Sequence, residues 1–103
     1  MKELQIIAPD RLDAQTRATF REEALVALSR LDAGTEGRLV IDLTRTHRMD
    51  SAGLGALVML QLRAAERKHG VVLRGVSEEI RFLLLMTRLE DRFTIEPSGP
   101  RLV

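Results

Sequence analysis

The residues most able to carry chemistry are gathered in Met49-Asp50-Ser51-Ala52-Gly53-Leu54-Gly55-Ala56-Leu57, directly after a cationic turn, Thr44-Arg45-Thr46-His47-Arg48. A serine hydroxyl in such a place can attack a carbonyl, cap a helix or accept a phosphate. The first use is not supported: Ser51 lacks the Gly-x-Ser-x-Gly elbow, and neither His47 nor His69 stands in a triad pattern. His69 reads instead as a cation at a helix C-terminus. Asp13 and Asp50 could pair as carboxylates, yet no third group completes a general acid/base site. Asp50 is expected to shape the turn and Asp13 to cap a helix. Two distant histidines and scattered carboxylates show no metal-ligand spacing, and the chain has no cysteine, which removes disulfides, thiol nucleophiles and thiolate sites. Neither an enzyme nor a cofactor is expected. Ser77 reads as a plain helix cap, and Met49, Met59 and Met86 read as core fillers.

The remaining uses of Ser51 depend on a helix opening there. Ser51 is expected to be its N-cap, and Gly53 and Gly55 leave the first turn without bulky side chains. Each glycine costs a helix about 1 kcal/mol against alanine, so two in one turn imply close approach by another segment, an anion or a partner protein. A phosphate on Ser51 would be favoured by the helix dipole and would add about −1.5 to −2 charge to that surface. Such a modification changes docking without requiring unfolding.

Length and composition narrow the setting. The 103 residues make one domain, 1–103, with residues 96–103 expected to form a flexible tail marked by Pro97, Gly99 and Pro100. The 16 basic and 15 acidic residues leave a formal charge of +1, which argues against a phosphate-neutralising nucleic-acid binder. Phe20, Phe82 and Phe93 are the only aromatics, too few for base-stacking platforms. No apolar run is long enough for membrane insertion, and with the cysteine-free composition the expected location is the cytoplasm.

The elements that position Ser51 follow from periodicity. Leu4 to Ala8 and the continuous run within Arg38 to Leu43 read as strands, the second covered on both faces. Phe20, Ala24, Ala27 or Leu28, and Leu31 recur at helical spacing after Asp13, with Gly34 as the stop and Arg17, Arg21, Glu22, Glu23 and Arg30 on a solvated face. The helix from Ser51 is expected to run to about His69 and close at Gly70; its apolar surface is too wide for one sheet face, so a helix or a partner covers the rest. Val71 to Leu73 is a third strand, Ser77 opens a further helix, and Phe93 to Ile95 is a last strand. Alternating strands and helices imply an α/β fold with a mostly parallel or mixed sheet of four to five strands and three to four helices.

From Asp42-Leu43-Thr44 to Leu57 the sequence resembles the STAS domain family, which includes the anti-sigma factor antagonists; the resemblance extends over about residues 5 to 96. Arg11-Leu12-Asp13-Ala14-Gln15-Thr16 looks like the segment before the family's first helix, and Leu89-Glu90-Asp91-Arg92-Phe93-Thr94-Ile95 looks like its closing segment. The resemblance implies that Ser51 is phosphorylated by an anti-sigma serine kinase, with Asp13 and Asp50 as acidic neighbours, and that the unmodified protein binds that kinase. It also implies two alternatives: a constitutive subunit bound to the ATPase of an ABC-type lipid transporter, which Ala52 favours, or an anion- or nucleotide-binding module. Thr46 and Arg48 depart from the family's apolar loop positions. The expected partner surface joins the loop Thr44 to Met49 with Asp50, Gly53, Leu54 and Gly55 and the helix side near Leu57 and Gln61; Arg45 and Arg48 would steer an acidic partner.

Overall fold

The central apolar run Leu39-Val40-Ile41 lies in the middle of a four-stranded parallel sheet, where a strand flanked on both sides must bury nearly every residue. A computed structural model of the chain describes residues 2–96, and the expected tail from residue 97 lies outside them. In chain order the elements are β1 (Lys2–Ile7), β2 (Arg11–Leu12), α1 (Arg17–Ser29), β3 (Gly37–Asp42), β4 (Arg48–Met49), α2 (Ser51–Glu66), β5 (His69–Arg74), α3 (Glu78–Met86), a 3-10 turn (Glu90–Arg92) and β6 (Thr94–Ile95). The main sheet has the order β1-β3-β5-β6, and β2 pairs with β4 in a separate two-stranded ladder.

Each crossover steps to the next strand in the same direction. Right-handed connections then place α1, α2 and α3 on one face of the sheet. Leu39, Ile41, Val71 and Leu73 point to that face and join Phe20, Leu28, Leu57, Leu60, Ile80 and Leu84 in one core. α1 packs on α2, which covers the apolar excess of α2 from within the chain.

Among the described residues the other sheet face carries no helix, yet β3 is covered on both faces, as its continuous apolar run predicts. Val40 and Val72, in register with each other, are still only 1% and 0% exposed. Polar side chains share that face: Arg38 pairs with Glu3, while Arg74 pairs with Glu96 at 2.6 Å and donates to Gln5 Oε1 at 2.7 Å. Long aliphatic stems bury apolar neighbours while their charged ends stay wet. Glu96 also donates its N–H to Leu73 O at 2.9 Å, so it belongs to the sheet and not to a tail.

Several boundaries differ from expectation. Thr16, not Asp13, is the N-cap position of α1, and the helix ends at Ser29, well before Gly34. Helix α2 ends at Glu66, followed by Lys68 in the left-handed region at φ 65°, so His69 is the first residue of β5 rather than a helix-end cation. His69 is 4% exposed, and neither ring nitrogen has a hydrogen-bond partner among the described residues. Ser77 caps α3 as expected, accepting from Ile80 N at 3.2 Å. Met86 does not fill the core: it is 65% exposed, beside Phe82 at 62%.

Candidate functional site

The short ladder of β2 with β4 builds the platform for Ser51. Arg11 lies opposite Arg48 and Leu12 opposite Met49, and Asp50 N donates to Leu12 O at 3.4 Å. Carrying this parallel register one residue further sets Asp13 opposite Asp50, so the two carboxylate residues flank the start of α2. Asp13 turns its carboxylate into its own loop, accepting from Gln15 N at 2.9 Å and Thr16 N at 3.2 Å. Desolvation pushes the Asp13 carboxyl up, but those two N–H groups and nearby Arg11 outweigh it and leave its pKa lowered.

The loop between β3 and β4 is pinned at both ends. Asp42 Oδ1 accepts from Thr44 N at 2.9 Å, and Thr46, 1% exposed, donates from Oγ1 to Pro9 O at 2.7 Å. His47 N adds a bond of 2.7 Å to Asp10 O. A threonine where the family pattern is apolar therefore serves as a tether. Arg45 and Arg48 stay exposed, and neither side chain has a hydrogen bond or an ion pair among the described residues.

Asp50, not Ser51, is the N-cap of α2. Its backbone is extended, at φ −108° and ψ −172°, and its Oδ1 accepts from Gly53 N at 3.0 Å. Ser51 is the first helical residue, exposed, and its hydroxyl has no hydrogen-bond partner among the described residues. The capping requirement is met one residue earlier, which leaves this hydroxyl unused.

The two glycines have separate functions. A Cβ on Gly53 would stand 2.0 Å from Leu12 O, so the close approach implied for this position is made by the chain's own β2. At Gly55 nothing lies within 4 Å, and the residue is exposed. Of the expected partner surface, Gly53 and Leu54 are buried, and Leu57 is fully buried at 0% exposure, facing the core instead of outward. Gln61 is half-buried, with its Oε1 enclosed and unpartnered. The outward stripe of α2 runs instead through Ser51, Gly55, Met59 and Leu62, the last 51% exposed.

Two recesses border the stripe and its loop. One, of about 220 Å³, is lined by Arg17, Arg21, Gly55, Ala56 and Met59. The other, of about 330 Å³, brings His47 and Met49 together with Phe82, Leu83 and Met86 of α3. Arg17, Arg21, Leu62 and Phe82 were not among the expected site residues. The signal available for Phe82 was the run Phe82 to Met86, too apolar for a helix with one buried face.

Residues 3–97 match the family described as Mlab, STAS domain. A STAS-domain containing protein of Pseudomonas aeruginosa is 32% identical over 94 residues, covering 91% of this chain and 88% of that protein. Among solved structures, a candidate anti-sigma factor antagonist from Thermotoga maritima superposes with a TM-score of 0.74 at 18% identity, covering 93% of this chain and 80% of its own. The murine anion transporter solute carrier 26 family member A9 gives 0.78 at 17% identity over 94% of this chain, which corresponds to 16% of the transporter. A sulfate transporter family protein from Wolinella succinogenes gives 0.62 at 17% identity, covering 91% of this chain and 75% of its own.

Proposed function

Because this chain belongs to the Mlab, STAS domain family, we propose that it is a protein-binding regulatory module, cytoplasmic and bacterial, that acts as an anti-sigma factor antagonist. In this reading it binds an anti-sigma serine kinase while Ser51 is unmodified and is released when Ser51 is phosphorylated. The observation that carries the reading is the exposed Ser51 hydroxyl, which has no hydrogen-bond partner among the described residues because Asp50 performs the capping. A phosphate there adds about −1.5 to −2 charge to a surface that a partner must desolvate. The helix dipole accommodates that charge, and α2 has no acidic residue in its first turn to oppose it from within. Arg48, in the short strand that leads into Ser51, and Arg45, exposed in the loop before it, would steer an acidic partner.

The test uses the chain's own cleavage pattern. Trypsin releases Met49–Arg63, in which Ser51 is the only hydroxyl-bearing side chain. After incubation with a candidate anti-sigma kinase and ATP, the phosphate is expected on that peptide and absent from Ser51→Ala. Labelling that persists in Ser51→Ala overturns the reading. Ser51→Asp is expected to weaken kinase binding at least tenfold in calorimetry while changing stability by no more than about 0.5 kcal/mol, since an acid in the first turn suits the dipole.

A second reading is supported by Ala52 in Asp50-Ser51-Ala52-Gly53-Leu54: a STAS subunit held constitutively on the ATPase of an ABC-type lipid transporter. It predicts the opposite response, with Ser51→Asp binding its partner normally.

A further inference from the structure

β1 borders the sheet: one edge pairs with β3, and among the described residues nothing pairs with the other. A six-residue border strand presents a row of N–H and C=O groups to any further strand. Beside this edge a recess of about 450 Å³ opens between β1 and α1, with Leu4, Ile6, Val26 and Ala27 in its lining. Val26 is 54% exposed and Ile7 52%, so apolar surface is left open on both sides of the edge.

Charge is ordered along the same edge. Lys2 donates from Nζ to Arg30 O at 3.0 Å, which places both cationic residues at the N-terminal end of β1. Glu23, midway along α1, lines the recess and also the hollow that Arg45 shares with Ile7, Ala8 and Pro9, so this carboxylate lies nearer the C-terminal end of β1 than Arg30 does. None of these side chains takes part in an ion pair within the described chain.

From this juxtaposition we infer that the edge docks on the same edge of a second copy of the chain, β1 against β1, antiparallel across a two-fold axis. A foreign strand would have to bring the reversed order of charges. A second copy turned by the two-fold brings it by symmetry, setting Arg30 of each copy toward Glu23 of the other. Directly opposed residues of antiparallel strands point to the same face, so keeping both helix layers on one side requires opposed residues of like parity. With Gln5 on the axis, Leu4 of each copy faces Ile6 of the other, beneath the two copies of Val26. The Ser51 ends then lie at opposite ends of the dimer, clear of the contact, so partner docking and self-pairing are separable.

Sedimentation of the whole chain over a concentration series is expected to show a monomer–dimer equilibrium. Val26→Arg, at an exposed position that leaves the fold intact by circular dichroism, is expected to weaken it at least tenfold. Glu23→Arg does the same, and adding Arg30→Glu restores pairing, which a merely structural role for Glu23 would not allow. The chain has no cysteine, so a single Gln5→Cys reports on the axis: it is expected to oxidise to a covalent dimer, whereas Glu66→Cys at the end of α2 does not. A monomer at every concentration with no Gln5→Cys dimer overturns the proposal. So does a dimer that Val26→Arg leaves unchanged, since its contact lies elsewhere. Kinase binding measured on Val26→Arg tests the Ser51 reading separately.

Discussion

Gly53 and Gly55 stand two positions apart on α2 and meet opposite surroundings, so the same substitution should act on them with opposite sign. At Gly53 a methyl group collides with the Leu12 backbone, which cannot swing aside as a side-chain tip can. Overpacking of this kind costs about 1 to 3 kcal/mol. At Gly55 a methyl group meets open space, and alanine recovers up to about 1 kcal/mol of helix propensity. Urea unfolding should therefore show Gly53→Ala destabilised and Gly55→Ala stabilised; two shifts of the same sign would refute the assignment of Gly53 to internal packing. The neighbouring capping pair explains why this detail was only partly legible in the sequence. Asp50 and Ser51 are both strong capping types, and local preference cannot choose between adjacent candidates. The choice is made by Leu12, whose carbonyl holds Asp50 N, a contact between residues far apart in the chain. One residue's shift in the cap decides whether the serine hydroxyl is consumed by the fold or left for a partner.

Elements ended where their partners in space allowed, and two helices end on residues that gave no warning. Lys68 after α2 and Arg88 after α3 adopt φ of 65° and 58°. This is the left-handed geometry usually filled by glycine. After α3 the closure is complete, with Leu89 N donating to Leu84 O at 2.9 Å and Arg88 N to Leu85 O at 3.1 Å. A non-glycine residue pays about 1 to 2 kcal/mol for that conformation, so Lys68→Gly is expected to raise stability by about 1 kcal/mol after glycine's own entropy is deducted. Thermal unfolding of Lys68→Gly that is unchanged or lower would contradict it. Gly70 looked like the stop because it is the nearest glycine, but it lies inside β5. The long periodic segments were readable because each buries a face of fixed period: β3, β5, the body of α2 and the Ser77 cap all stand close to where their patterns put them. β2 and β4 were not readable, since two residues each carry no period at all. Yet those two fragments orient Asp13, Asp50 and Ser51.

At the scale of the molecule, a sheet that always steps the same way concentrates the helices of the described residues on one face and sets polar side chains on the other. Composition could not reveal this asymmetry, because Leu39-Val40-Ile41 is equally apolar whether a helix or a layer of arginine stems covers Val40. The consequence is a face to which ionised carboxylates contribute. Hydrogen bonding to Arg74 holds the Glu96 carboxyl below its ordinary pKa, and bonds from the Thr44 side chain and N–H hold Asp42 below its own. A carboxyl whose pKa is lower folded than unfolded stabilises the protein above the ordinary carboxylate range, and that contribution is lost as the pH falls through the lowered folded value. The thermal midpoint should thus be nearly level from pH 7 to about pH 5 and fall below about pH 4. The side chains of Arg74 and Glu96 are 38% and 31% exposed. Solvent and salt therefore keep the effect of this pair modest. Glu96→Gln removes one of the titrating groups and should flatten the acid limb while leaving Arg74 its bond to Gln5 Oε1. If the acid limb of Glu96→Gln runs parallel to that of the unmodified chain, the ion pairs do not stabilise the open face, and Val40 and Val72 are kept from water by packing alone.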